Sequence, residues 1–197
     1  MMQLLHHLRR FARAKDGAAA MEFAIVAPVF LMCLMGMIDS GQMIYGKAIL
    51  NGAVQKASRG SALETANTTA ADTMVRNSVD TVMPNVVITS TRRSYYDFAD
   101  VGRQEQFNDA NANGTCDNHE SYTDENGSTH WENDVGVAGN GGANDVVMYT
   151  VTARFTPLLH LPFLPAFNQQ KTLTATAVKK NQPFADQAEY GSTAGTC

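Results

Sequence analysis

Residues 17–38 read GAAAMEFAIVAPVFLMCLMGMI, and this stretch decides the fold. Its 22 residues include one charged side chain, Glu22. About 20 predominantly apolar residues are enough to cross a bilayer as an α-helix. The sequence therefore predicts a membrane helix close to the N-terminus.

The charges on either side of this stretch differ in sign. Residues 1–17 carry four basic side chains against Asp16, a net charge of +3, which leaves −7 for the rest of the chain. Because positive charge stays on the cytoplasmic side, we expect a single-pass membrane protein with a cytoplasmic leader, residues 1–17, and the rest of the chain across the membrane. The acidic remainder argues against a nucleic-acid partner, which would require a basic face.

A secretory signal peptide is the alternative interpretation of the N-terminus. The apolar run is longer than the 7–15 residues usual in signal peptides, and no A-x-A cleavage site follows Ile38. Removal of the whole segment is therefore the less favoured interpretation.

The predicted fold class is α+β. The membrane helix continues to give a long helix over residues 18–62, and residues 63–197 form a small antiparallel sheet domain. A second helix is predicted over residues 71–83, and the strands are predicted, from alternation of apolar and polar residues, at residues 86–90, 146–155 and 173–178. A polar insert rich in Asp, Asn and Gly, residues 97–145, separates the first two strands. A structureless loop of this length is uncommon, so we expect it to be disordered, functional or organised by an ion.

Gly17 and Glu22 are the first candidate functional residues. A carboxylate inside an apolar helix is costly and is usually functional. If the chain is cut after Gly17, Ala18 becomes a positively charged N-terminus that Glu22 can neutralise within a helix bundle. The alternative is that Glu22 lies near the interface, extends towards water and has no function.

The segment also resembles a known family. Gly17-Ala-Ala-Ala-Met-Glu22-Phe23 is similar to the type IV prepilin pattern of glycine, small residues, glutamate and an aromatic residue. Over residues 16–62, with the Asp39-Ser-Gly-Gln region and an Ala/Arg-rich helix, the chain resembles the TadE/TadG-like family. Asn181-Gln-Pro-Phe is similar to the Asn-x-Pro-Phe/Tyr ending of such proteins.

This resemblance implies a minor pilin or pseudopilin of a tight-adherence (Tad/Flp) pilus. It implies cleavage between Gly17 and Ala18 by a prepilin peptidase, with other pilins, pseudopilins and the Tad assembly machinery as partners. Family members differ in whether they are cleaved, so an uncleaved membrane anchor is also possible.

The insert contains a predicted Ca²⁺ site. Residues 109–120, DANANGTCDNHE, fit the twelve-position loop D-x-[DN]-x-[DN]-G-x₅-E, whose oxygen ligands suit a hard cation. The predicted ligands are Asp109, Asn111, Asn113, Thr115, Asp117 and Glu120. No long helices flank the loop, so we expect weak binding, at about 0.1–1 mM. Residues 124–134 keep the alternate spacing but depart from the loop, and a solvated turn cluster is the alternative for both stretches.

Three cysteines are too few for a disulfide scaffold. Cys33 lies in the apolar run, which leaves Cys116 and Cys197 as the plausible pair in an oxidising compartment. Two independent thiols are the alternative.

An enzyme has little support. The sequence contains no Gly-x-Ser-x-Gly, His-Glu-x-x-His or phosphate-binding glycine loop. A hydrolase that uses carboxylates of the insert would need an apolar pocket, which the insert composition does not provide. The main alternative to a pilus component is a permanently anchored, calcium-dependent adhesion module.

Overall fold

The computed structural model describes residues 16–63, 67–158, 165–189 and 191–197. The predicted basic leader therefore lies outside the described residues up to residue 15. The chain divides into two compact units, Met1–Met43 and Ile44–Cys197, and helix α1, Asp16–Gly60, contributes residues to both. The α+β class is confirmed.

The first unit, in its described part, is the N-terminal portion of α1. Its large apolar side chains are exposed, and they include Met21, Phe23, Ile25, Val26, Val29, Phe30 and Leu31. Exposure of so many large apolar groups along one helix is not compatible with water as the surrounding medium, and it fits a lipid environment.

The second unit begins with the C-terminal part of α1, followed by helix α2, Thr68–Asp80. Asn67 caps α2, because its side chain accepts a hydrogen bond from the Ala70 amide at 2.8 Å. The prediction of residues 71–83 placed this helix three residues too late. Met83 is buried although it lies beyond the helix, and this apolar residue made the predicted helix extend past the observed end at Asp80.

A four-stranded antiparallel sheet follows, in the order β3-β1-β4-β5. Its strands are β1, Val87–Tyr95, β3, Val137–Ala138, β4, Val146–Phe155, and β5, Lys171–Lys180. The prediction for β4 is confirmed residue for residue, whereas β1 and β5 are longer than predicted. Short 3₁₀ turns lie at Phe98–Asp100 and Pro165–Asn168.

One face of the sheet and the two helices share an apolar core. In β4, the odd-numbered residues from Val147 to Phe155 are buried, which matches the period of two in a strand. The helices contribute the buried residues Leu50, Ala53, Val54, Ala57, Val75 and Val79. We call the C-terminal part of α1, α2, β1, β4 and β5 the body.

The other face of the sheet carries two rows of threonine across three strands. The register aligns Thr150 of β4 with neighbours on both sides, and Thr152 likewise. Hydroxyl oxygens of β4 and β5 lie 3.2 Å apart in one row and 3.5 Å apart in the other. The rows are Thr91, Thr150, Thr176 and Thr89, Thr152, Thr174.

The insert, residues 97–145, is folded, and its strands pair with strands outside it. It contains β3 and the strand β2, Ser121–Asp124. β2 pairs with β6, Thr193–Thr196, close to the C-terminus, in a separate two-stranded sheet. Of the three predicted states, disorder is therefore wrong.

Candidate functional site

Backbone amides of the predicted calcium loop, residues 109–120, donate hydrogen bonds to side-chain oxygens of the same loop. The Asp109 carboxylate accepts hydrogen bonds from the backbone amides of Asn113 at 3.1 Å and Gly114 at 2.8 Å. The Asn111 side-chain oxygen also accepts from the Asn113 amide, at 2.9 Å. Gly114 has φ +77°, a conformation that favours glycine. The start of the loop is therefore a tight turn centred on Asp109.

The end of the loop closes over its start. Glu120 is 6% exposed, and its carboxylate accepts from the amides of Ala110 at 2.8 Å and Asp117 at 3.2 Å. The Asp117 carboxylate accepts from the side-chain amides of Asn111 at 2.8 Å and Asn113 at 3.0 Å. The structure thus brings the five predicted side-chain ligands into one hydrogen-bonded loop.

Thr115 was predicted to contribute its backbone carbonyl. Its amide donates to the Asn113 side-chain oxygen at 2.8 Å, which places Thr115 in the same turn. Across the described residues, no three His, Cys, Asp or Glu side chains are grouped closely enough to hold a metal ion. A carboxylate oxygen that accepts one hydrogen bond has a further lone pair for a cation, so these hydrogen bonds do not decide the question and calcium binding stays a prediction.

The second acidic stretch forms a similar turn. The Asp124 carboxylate accepts from the amides of Gly127 at 2.7 Å, Ser128 at 3.0 Å and Thr129 at 2.9 Å. The side-chain amide of Asn126 donates to Glu132 at 2.5 Å. These contacts stabilise the turn without requiring an ion.

A disulfide joins the loop to the C-terminal strand. Cys116 is bonded to Cys197, with the two Cα atoms 5.7 Å apart and a sequence separation of 81. The Cys197 amide also donates to the Glu120 carbonyl at 2.9 Å. Formation of this bond in the cell is a prediction that depends on the compartment.

Sequence reasoning missed the residue that organises the insert, Glu105. This residue is fully buried, and its carboxylate accepts from the amides of Glu125 at 2.9 Å and Glu132 at 3.0 Å. Its carbonyl accepts from the Trp131 indole at 3.2 Å, and the Trp131 ring packs edge-on against Phe107 at 5.2 Å. The two aromatic residues in a polar segment were the available signal.

A second missed cluster fixes α2 on the sheet. The Asp72 carboxylate accepts from the Arg92 guanidinium at 2.6 Å, the Tyr149 hydroxyl at 2.6 Å and the Ser90 hydroxyl at 2.8 Å. The guanidinium also lies over the Tyr149 ring, 4.1 Å from its centre. Burial alone would raise the pKa of Asp72, but these hydrogen bonds outweigh burial and lower it below its ordinary value.

The predicted processing residues lie at the start of α1. Gly17, Ala18 and Glu22 are helical and exposed. A β-carbon built at Gly17 would meet no atom within 4 Å, so packing within the described structure does not require glycine there. Among the described residues, α1 is the helix long and apolar enough to cross a membrane.

Residues 17–59 match the model of the TadE-like protein family. The match begins at Gly17, the residue before the predicted cleavage point, and ends one residue before the end of α1. Comparison of the chain with curated proteins and with solved structures gives no match. The matched segment coincides with the long apolar helix α1.

The TadE-like segment also includes part of the body. Leu50, Val54 and Ala57 lie within the matched residues and are buried in the second unit. The Asn-x-Pro-Phe stretch contacts residues next to the end of α1, because the Gln182 amide donates to the Ala62 carbonyl at 3.0 Å. Asn181, 4% exposed, donates from its side-chain amide to the carbonyls of Asn140 and Gly142, each at 2.8 Å.

Proposed function

We propose that the protein is a minor pilin or pseudopilin that takes part in assembly of a tight-adherence pilus. The observation that carries this proposal is the TadE-like segment, which coincides with a helix whose apolar side chains are exposed. The helix holds the subunit in the inner membrane and later packs against helices of other pilins. The role is structural, so we propose no catalytic activity.

The proposed orientation follows from charge. Four basic side chains precede the helix within residues 1–17, so this end stays in the cytoplasm. The body and the insert then lie in the periplasm or at the pilus. A cysteine-reactive, membrane-impermeant label should reach a cysteine introduced at an exposed position of the insert, and it should not reach one introduced in the leader.

We further propose cleavage between Gly17 and Ala18. A glycine in a helix costs up to about 1 kcal/mol relative to alanine, and no neighbour within the described structure requires it here. A peptidase that must approach the backbone closely supplies a reason for it. Glu22 then neutralises the new amino group of Ala18, within its own helix or in a neighbouring one.

The variant Gly17→Val should block maturation, because a branched side chain obstructs the peptidase. Gly36→Val is the matched control, since Gly36 is also helical and a β-carbon there also meets no atom within 4 Å. Intact-mass analysis of protein from membranes is the measurement. An unprocessed wild-type chain in cells that contain the peptidase would refute cleavage and favour a permanent anchor.

Participation in a pilus is tested separately. Deletion of the gene should abolish or reduce pili, and complementation with the wild type should restore them. Mass analysis of sheared pili distinguishes a subunit of the filament from a protein that only assists its assembly. Normal piliation of the deletion strain would contradict the proposal.

A calcium-dependent adhesion module is the second candidate, supported by the folded loop around Asp109. Calcium should raise the melting temperature of the full chain in detergent micelles, with half-saturation at about 0.1–1 mM. Asp109→Ala and Glu120→Ala should abolish this effect, whereas Asp186→Ala, at an exposed position outside the loop, should not. Absence of any shift at several millimolar calcium would exclude the site.

A further inference from the structure

The last residues of the chain form a strap along the insert. We use this name for residues 181–197, of which all but residue 190 are described. The Gln187 side-chain amide donates to the Tyr96 carbonyl at 2.7 Å. The Gly191 amide donates to the Glu125 carbonyl at 2.9 Å. Hydrogen bonds therefore connect the strap to the end of β1 and to the insert.

The strap ends in the two-stranded sheet. All four residues of β6 pair with β2, from Ser121 opposite Thr196 to Asp124 opposite Thr193. Directly after this strand comes Cys197, which is covalently bonded to Cys116. The disulfide thus attaches the C-terminal residue of the strap to the insert.

Little apolar burial holds the strap in place. Of its described residues, Asn181 at its start is the one that is buried, and the β6 side chains are exposed or half-buried. An isolated two-stranded sheet is marginally stable at best in water. Hydrogen bonds exposed to water add little net stability. The closed position of the strap therefore depends strongly on the disulfide.

The body does not share this dependence. Its core is made of large buried side chains from the helices and the sheet, among them Leu50, Val75, Tyr149 and Phe155. None of these belongs to the insert or to the strap. Opening of the strap would leave this core covered, whereas the smaller cluster of Tyr95, Val135 and Val146 joins β1 and β4 to the insert.

We propose that the Cys116–Cys197 disulfide is a redox latch, whose reduction opens the strap and loosens the insert while the body stays folded. This proposal does not depend on the role in a pilus. In the step itself, a dithiol reductant is oxidised to its disulfide, and the bond between the two sulfur atoms accepts two electrons and two protons to give two thiols. Because the body stays folded, the loop that gains freedom is about the length of the 17-residue strap, so loss of the crosslink should shift the closed-to-open equilibrium by on the order of a hundredfold.

The test uses the full chain in detergent micelles, oxidised and then treated with dithiothreitol. Hydrogen exchange should accelerate at the amides of Gly191 and Cys197, by up to about a hundredfold, with little change in β4 and β5. The single tryptophan, Trp131, lies in the insert and reports its loosening through a red-shifted emission. Unchanged exchange in the strap after reduction, or simultaneous loss of protection in β4, would overturn the proposal.

Variants separate this latch from other effects of the reductant. Cys197→Ser should resemble the reduced wild type, and dithiothreitol should not change it further. Cys33→Ser, which removes the free cysteine of α1, should behave as the wild type in both states. If Cys197→Ser retains the exchange protection of the oxidised wild type, the latch is refuted. If that variant does not fold, reduction of the folded wild type still decides the question.

Discussion

The cluster around Asp72 should contribute strongly to the stability of the body. In the variant Asp72→Ala, the Arg92 guanidinium, whose side chain is 10% exposed, and the buried Tyr149 hydroxyl lose their common acceptor. A hydrogen bond to a charged group contributes roughly 1.5–3 kcal/mol, and partial exposure of Asp72 reduces this contribution. We therefore expect a loss of about 3 kcal/mol in the free energy of unfolding, which is less than the sum of three bonds.

Pulse proteolysis of the full chain in urea measures this loss. Asp80→Ala is the matched control, because Asp80 is an exposed aspartate at the end of the same helix, and it should cost less than about 1 kcal/mol. A double-mutant cycle with Arg92→Met should give a coupling energy of about 1–2 kcal/mol. If Asp72→Ala costs no more than the control, or if the two substitutions are additive, the reasoning is wrong.

The pH dependence provides a second check on the same cluster. The lowered pKa of Asp72 means that its folded carboxylate holds its charge to a lower pH than in the unfolded chain, where the ordinary value is 3.8. The stabilisation is therefore complete above the unfolded value and is lost as the pH falls through the folded value. The difference between the wild type and Asp72→Ala should shrink at pH values below about 3.8.

Two further predictions concern β5 and the strap. Burial, and then the nearby charge of Arg92, lower the pKa of Lys179 to about 8. The free energy of unfolding of the wild type should therefore increase as the pH rises from 8 towards 10.5, the ordinary value. Urea titrations at each pH measure this gain, and Lys179→Met should lack it. In Gly191→Ala, the new methyl group would lie 2.7 Å from the Asp124 carbonyl oxygen, so the amide protons of the strap should exchange faster. Gly52→Ala is the control, because no atom lies within 4 Å of its β-carbon, and it should not affect exchange in the strap. Equal exchange rates in these two glycine variants would contradict the predicted clash.

The local alternation of apolar and polar residues was sufficient to predict a strand where each side chain faces one of the two sides of the sheet. In β4, alternate residues face either the core or the threonine rows, so the alternation predicted the strand at its observed bounds. In β1, Arg92 and Arg93 interrupt this alternation, and the prediction stopped before them. Arg92 is tolerated because Asp72, twenty residues earlier, is its partner, and no local pattern contains that information.

The insert was beyond local reasoning for the same reason. Glu105 has the appearance of a solvated residue between two glutamines, yet the amides that surround its carboxylate come from Glu125 and Glu132. The calcium-loop pattern, in contrast, could be recognised from the sequence because all of its residues lie within the single stretch 109–120. Its side chains do come together, although the pattern alone could not show which hydrogen bonds their oxygen atoms accept.

The threonine rows have a consequence for how the surface of the second unit responds to its surroundings. The two rows across β1, β4 and β5 contain no group that ionises, and charged residues of this face, among them Arg154 and Lys180, lie beyond the two ends of the rows. The insert, with eleven acidic side chains and one arginine, is the opposite case. A change of salt concentration would therefore alter the electrostatic field around the insert more than that around the threonine rows.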